Sequence, residues 1–205
     1  MKMILYLETN FIMAIAKGRD GLVENILQNP PDDLTIAIPS ICLMESLVAW
    51  EREQKRSQSF RQSVEIEINE AKRNELLQDA QSVVDFLLES MTAYENLLVD
   101  FENRLGNVFE ILKNKVELIH PKIENIQLTF AQPLLPQSKE RRDDFILRCI
   151  LDHAQANSEE TKAFFSENIK QFGQSDVRES FREVGITYFS KIENLQGWLS
   201  SREST

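Results

Sequence analysis

From Ile41 to Leu105 the chain contains neither glycine nor proline. Those residues normally punctuate helices and strands, and proline in particular removes a backbone donor and breaks a helix. A stretch of this length without them predicts long helices rather than a series of short strands. Its second half carries a clear period. Leu77, Ala80, Val84, Leu87, Met91, Tyr94, Leu98, Phe101, Leu105, Val108 and Leu112 recur in steps of three and four. That is a heptad seam. A continuous helix from Glu75 to Ile119 would measure roughly 65 Å at about 1.5 Å per residue. The seam is better covered if this helix folds back on the one that starts at Ser40, which is expected to act as its N-cap. Gly106 and Asn107 mark an expected kink, and His120-Pro121 ends the segment.

The ends of the chain follow a different pattern. Ile4 to Leu7, Leu34 to Ile38, Ala163 to Ser166 and Ile186 to Phe189 are short apolar runs, expected as buried strands. Helical patterns alternate with them: Thr9 to Ala16, Leu22 to Leu27, Glu140 to Ala154, Ser175 to Glu183 and Ile192 to Leu199. Such alternation predicts an α/β domain with a parallel sheet between helices. Ile123 to Phe130 alternates apolar and polar residues and is expected to be an edge strand. The organisation that follows is one domain over 1–205, with a core at about 1–50 and 123–200. Residues 51–121 form a long helical insertion or arm.

Composition narrows the function. Thirty-three acids against 23 lysines and arginines leave a formal charge of −10. That does not suit a protein that coats nucleic acid non-specifically. It is compatible with an acidic metal site that cuts nucleic acid. No apolar run approaches the ~18 residues of a membrane span. The N-terminus lacks a signal-peptide pattern, so a cytoplasmic location is expected. Cys42 and Cys149 are isolated in apolar helical patterns and are expected to be buried and reduced. His120 and His153 lie far apart, which argues against zinc. His153 is expected to be a structural histidine.

Four places carry candidate chemistry. The first strand ends on Glu8, followed at once by Thr9 and Asn10. Glu45 lies one turn into the helix after the second strand. Asp143 and Asp144 begin the helix that contains Phe145 and Ile146. Ser166, Glu167 and Asn168 follow the third core strand. In a parallel sheet all four reach the same rim, where ligands of open α/β sheets collect. Each also has an ordinary structural reading, as a helix cap, a first-turn acid or a turn residue.

This order of motifs resembles the PIN-domain ribonucleases, a family that includes toxin nucleases of bacterial toxin–antitoxin pairs. The family's first motif is Asp-Thr-Asn or similar, and Glu8-Thr9-Asn10 stands there. Glu45 matches the second acid and Asp143 the third. Ser166-Glu167-Asn168 stands at the fourth motif, whose last residue is usually aspartate. The resemblance implies a three-layer, Rossmann-like fold and metal-dependent hydrolysis of RNA. It implies Glu8, Glu45 and Asp143 as catalytic acids, with Glu8, Asp143 and Asn168 holding Mg²⁺ or Mn²⁺. Thr9, Asn10, Asp144 and Ser166 would support them. Lys139, Arg141, Arg142 and Lys170, with Arg178 and Arg182 nearby, are candidate contacts to RNA phosphates.

The two departures, Glu8 and Asn168, favour a second reading: an inactive PIN-fold module that binds protein. The arm suits that reading. Between Arg73 and Arg104 it has no basic residue, and its acidic face would attract a basic partner. Its apolar seam calls for an intrachain hairpin or for self-association through residues 51–119.

Overall fold

A computed structural model describes residues 2–74, 76–135 and 141–203. Its centre is a five-stranded, all-parallel sheet in the order β3-β2-β1-β4-β5. The strands are β1 (Met3–Tyr6), β2 (Leu34–Pro39), β3 (Val116–Ile119), β4 (Thr161–Phe165) and β5 (Ile186–Phe189). Every residue of β1 is buried. A strand covered on both faces reads as a continuous apolar run, as Met3-Ile-Leu-Tyr6 does. β1 pairs with β2 on one side and β4 on the other, with Leu5 opposite Ile36 and Ala163.

The helices flank the sheet. α1 (Thr9–Ala16) and α2 (Gly21–Gln28) follow β1. Gly18, at φ +62°, turns the chain sharply between them. Asp20 caps α2 by accepting from the backbone N–H of Leu22 at 2.8 Å. α3 (Ile41–Arg73) and α4 (Ala80–Lys115) form the long arm. They are followed by α5 (Ile123–Ala131), α6 (Arg141–Ala156), α7 (Ile169–Phe172), α8 (Ser175–Glu183) and α9 (Ile192–Glu203).

The heptad seam divides its work. Near the tip, Val84 joins Val64 and Ile68 in a small cluster of their own, with Phe60, Leu87 and Met91 against it. Near the root, Phe101, Leu105, Val108 and Leu112 enter the main core. The arm is therefore an intrachain hairpin whose base belongs to the domain. Trp50 meets Phe101 edge-on at 5.1 Å, and Phe60 meets Tyr94 at 4.7 Å.

Four expectations are corrected. The heptad helix stops at Lys115, and Val116 to Ile119 peel off as an edge strand beside β2. β-Branched Val116 and Ile119 gain more there from ladder pairing than from another helical turn. The sheet thus takes a strand from the stretch assigned to the arm. The edge strand expected at Ile123 to Phe130 is instead α5. Its alternation misleads because the helix buries polar Asn125 and Thr129, four residues apart, and leaves Ile123 and Phe130 exposed. Ser40 makes no side-chain cap to α3; its backbone is already helical and its N–H donates to Ile119 O at 2.9 Å. At Gly106 the helix runs on without a break from Ala80 to Lys115.

Candidate active site

The strand order reverses at β1: β2 lies on one side of it and β4 on the other. A crevice opens where neighbouring connections leave a parallel sheet in opposite directions. Glu8 follows β1 there and Ser166 follows β4. Glu8 is in extended conformation, and its Oε2 caps α1 by accepting from the Asn10 N–H at 2.7 Å. Its Oε1 accepts from the Ser166 hydroxyl at 2.9 Å. The same hydroxyl oxygen accepts from the Asn168 N–H at 3.0 Å. Tyr188, on β5, donates its hydroxyl to the Ser166 carbonyl at 2.8 Å. Glu8 is thus fixed at both oxygens and only 4% exposed.

Glu45 approaches from α3. The Thr9 hydroxyl donates to its Oε2, and Arg142 Nε stands 3.4 Å from its Oε1. Thr9 to Glu45 and Lys17 to Glu53 share one sequence offset of 36, so α1 and α3 run parallel and in step for two turns. That packing sets Glu45 beside Thr9. Asp143, in the first turn of α6, completes the group of acids around Glu8.

Burial pushes the Glu8 carboxyl up to about 7, its hydrogen bonds to Asn10 and Ser166 oppose this, and the charges of Asp143 and Glu45 raise it further. Its own hydrogen-bond donors are neutral. Three acids from three separate parts of the chain therefore share one electrostatic environment, and they do so at the sheet's switch point.

The other expected residues divide. Asp144 does not join this group. It is fully buried, takes the Leu135 N–H at 2.7 Å and pairs with Arg148 Nε at 3.0 Å. One residue further along a helix rotates the side chain by about 100°, which turns Asp144 into the core while Asp143 faces the rim. Asn168 contributes its backbone N–H to Ser166, and its side chain does not cap α7. Arg142 is engaged with Glu45, while Arg141 and Lys170 are exposed. Lys139 lies outside the described residues. Arg182 is exposed, and the Arg178 guanidinium lies over the Tyr188 ring at 5.7 Å.

His153 bridges the Tyr6 hydroxyl at 2.9 Å and Glu117 at 3.2 Å, away from the acids. Cys42 and Cys149 are buried free thiols whose pKa values burial raises, Cys149 to about 11. Sequence reasoning missed Tyr188. Its hydroxyl anchors Ser166, and both burial and the Glu8 charge raise its pKa, against Arg178. A tyrosine inside a strand pattern gives no signal of that role. Arg19 was missed as well. It lines the cleft of about 100 Å³ that also contains Glu8, Asn10, Phe11 and Ser166.

The donor chemistry fits a hard divalent cation held through few ligands. A buried acid with neutral donors, near two further acids, is an environment that a cation would relieve. Among the described residues no three His, Cys, Asp or Glu side chains form a ready-made cage. The fit is therefore to an ion that keeps several waters and binds through one or two carboxylates, as Mg²⁺ commonly does.

The fold and the ordered acids agree with a wider comparison. A family model described as a PIN domain matches residues 5–172, and the chain belongs to the PIN-domain family. Its parallel sheet between helices is the nuclease-like fold of that family, whose members generally use divalent metals. No curated protein and no solved structure matches the chain. Among the described residues, no helix is long and apolar enough to cross a membrane.

Proposed function

We propose that the protein is a divalent-metal-dependent endoribonuclease that hydrolyses RNA phosphodiester bonds at Glu8, Glu45 and Asp143. The observation that carries this reading is the convergence of the three acids at the switch point, where burial raises Glu8 to about 7 and the charges of Asp143 and Glu45 add to it. Structural carboxylates at a rim are normally solvated or paired, and an acid raised chiefly by burial and further by two neighbouring acids in a cleft supports a functional reading. Glu8 and Asp143 would hold Mg²⁺ or Mn²⁺, with the Asn168 side chain as a neutral donor nearby. The bound ion would supply Lewis-acid stabilisation of the phosphoryl oxygens and a more acidic water.

The chain's own residues have distinct tasks in this scheme. Asn10 and Ser166 fix the Glu8 carboxylate, and Tyr188 fixes Ser166 in turn. Thr9 and Arg142 orient Glu45, which would take the proton of the attacking water in this scheme. Arg141 and Lys170 would meet the phosphates on either side. The exclusion of non-specific coating by a −10 chain implies that affinity is concentrated near this rim.

The second reading is an inactive PIN-fold module that engages a protein partner through its acidic arm. Both oxygens of Glu45 are already contacted by Thr9 and Arg142, and Asn168 removes one charge from the site. One experiment separates the two. A mixed RNA pool is incubated with the full chain in Mn²⁺, with and without chelator, beside Asp143→Ala. The nuclease reading expects metal-dependent cleavage that Asp143→Ala lowers by about a hundredfold or more. Calorimetry showing no metal binding at millimolar Mn²⁺, together with intact RNA, would leave the module.

A further inference from the structure

A second cavity, of about 510 Å³, lies where the arm joins the core. Its volume falls in the range of sites that take small organic molecules, roughly 300–1,000 Å³. Tyr94, Leu97 and Leu98 of α4 give it an apolar wall, with Phe101 behind them. Lys17, Arg19, Arg56 and Arg104 bring four cations to its lining, against Glu53 and Asp100. The balance, 4 − 2 = +2, opposes the −10 of the whole chain. An apolar wall beside a local excess of cations suits a ligand with a flat hydrophobic body and an anionic group.

We infer that this cavity receives a nucleotide of the RNA strand that passes through the acid cleft, its base against Tyr94 and Leu97 and its phosphate at Arg19 and Arg56. The inference rests on the ribonuclease reading for the identity of the strand. Arg19 ties the two places together, because it lines both this cavity and the cleft that holds Glu8. Asn10 and Ala14 of the cleft lie on α1, and Lys17 and Gly18 of the cavity are its C-cap and the turn that follows it, so the two places sit at successive points along one short segment. The eight residues of α1 itself span about 12 Å, so a subsite at its C-terminal end would flank the cleaved bond by a short length of strand.

The cations differ in their availability. Lys17 is paired with Glu53 at 2.5 Å, and Arg104 holds Glu24 at 2.7 Å and the Ile15 carbonyl at 2.8 Å. Arg56 is 76% exposed with Glu53 no closer than 4.0 Å. That leaves Arg56 and Arg19 to meet a phosphate. The Phe101 ring is covered by Trp50 and Lys17, and Tyr94 packs part of its ring on Phe60, so exposed Leu97, with half-buried Tyr94 beside it, offers the apolar surface for a base. Stacking on an aromatic side chain tolerates any base and is typically worth about 1–3 kcal/mol. Toward the tip from Tyr94, α4 carries Asp85 and Glu89 and no basic residue, and the strand would end its contact with α4 there. An acidic peptide would share the attraction to Arg56 but would gain nothing from the continuity with an acid-lined cleft.

The test uses the full chain with Arg56→Glu and, as a second variant, Leu97→Glu. Anisotropy in chelator measures binding of a labelled single-stranded RNA long enough to reach both places. Cleavage in Mn²⁺ is compared between that RNA and a dinucleotide. Each variant is expected to weaken binding of the long RNA by about tenfold or more, and to lower the long-to-short ratio of kcat/KM by a similar factor. Wild-type cleavage with unchanged long-RNA affinity in both folded variants overturns the subsite and leaves the nuclease reading intact. Absent cleavage, with RNA binding that both variants lose, removes the nuclease reading and keeps the cavity as an RNA site. Polyglutamate binding that depends on Arg56, without RNA binding, overturns the inference in favour of a protein partner.

Discussion

Two neighbouring aspartates show how sharply a single position divides site from scaffold. Asp144 is fully buried and holds Leu135 and Arg148, so Asp144→Ala leaves Arg148 without its carboxylate. Breaking such a pair commonly costs about 3–5 kcal/mol. Asp143→Ala removes a rim acid, and its stability should stay within about 1 kcal/mol of wild type while cleavage is lost. Urea melts of both variants check this. Glu8 makes a pH-dependent prediction. Its carboxyl has an ordinary value of 4.5 and sits at about 7 in the fold. The folded state therefore binds the proton more tightly than the unfolded chain, and the stability this gives is complete below about 4.5 and lost as pH rises through about 7. Glu8→Gln does not titrate. Wild type should lose on the order of 3 kcal/mol relative to Glu8→Gln between pH 4 and pH 8, whatever the fixed offset between them. Melts across that range that run parallel for the two proteins would contradict the burial of a titrating Glu8. Added Mn²⁺ should recover part of the loss in wild type alone.

At the scale of elements, the arm is held by two separate apolar clusters. Val64, Ile68 and Val84 secure its tip, and Phe101 to Leu112 secure its base in the main core. Val84→Asp should therefore open the tip without unfolding the domain. Hydrogen exchange is expected to quicken between about residues 60 and 95 and to stay slow in β1 and β4. Uniform acceleration would mean that the two clusters unfold together. α5 offers a second check. The Thr129 hydroxyl is buried without a hydrogen-bond partner among the described residues. Thr129→Val keeps the shape and removes the unsatisfied group, so a gain of about 1 kcal/mol is expected in thermal melts. The same helix shows why its pattern misleads. Its buried face is built from Asn125 and Thr129, the former donating weakly to the Cys149 sulfur at 3.8 Å, so hydropathy points to the wrong side.

For the molecule as a whole, the local chemistry of the chain decided a good deal unaided. The continuous apolar runs at Met3 to Tyr6 and Ala163 to Phe165, alternating with helical periods, determined a parallel sheet between helices, because only strands covered on both faces read that way. The freedom from glycine and proline between Ile41 and Leu105, with the heptad seam, determined the arm. The types and order of Glu8, Glu45 and Asp143 marked the rim. What remained depended on contacts between segments distant in sequence. Whether Val116 continues a helix or pairs with β2 is settled by the open edge of β2, which no local period records. Tyr188 holds Ser166 only because β5 lies beside β4, and Arg19 joins two cavities only because α4 packs on α1. Sequence determined which acids are present and which strands carry them. The tertiary structure alone decided that the charge of Asp143 acts on Glu8 while Asp144 is buried in the core, since burial and charge act through space rather than along the chain.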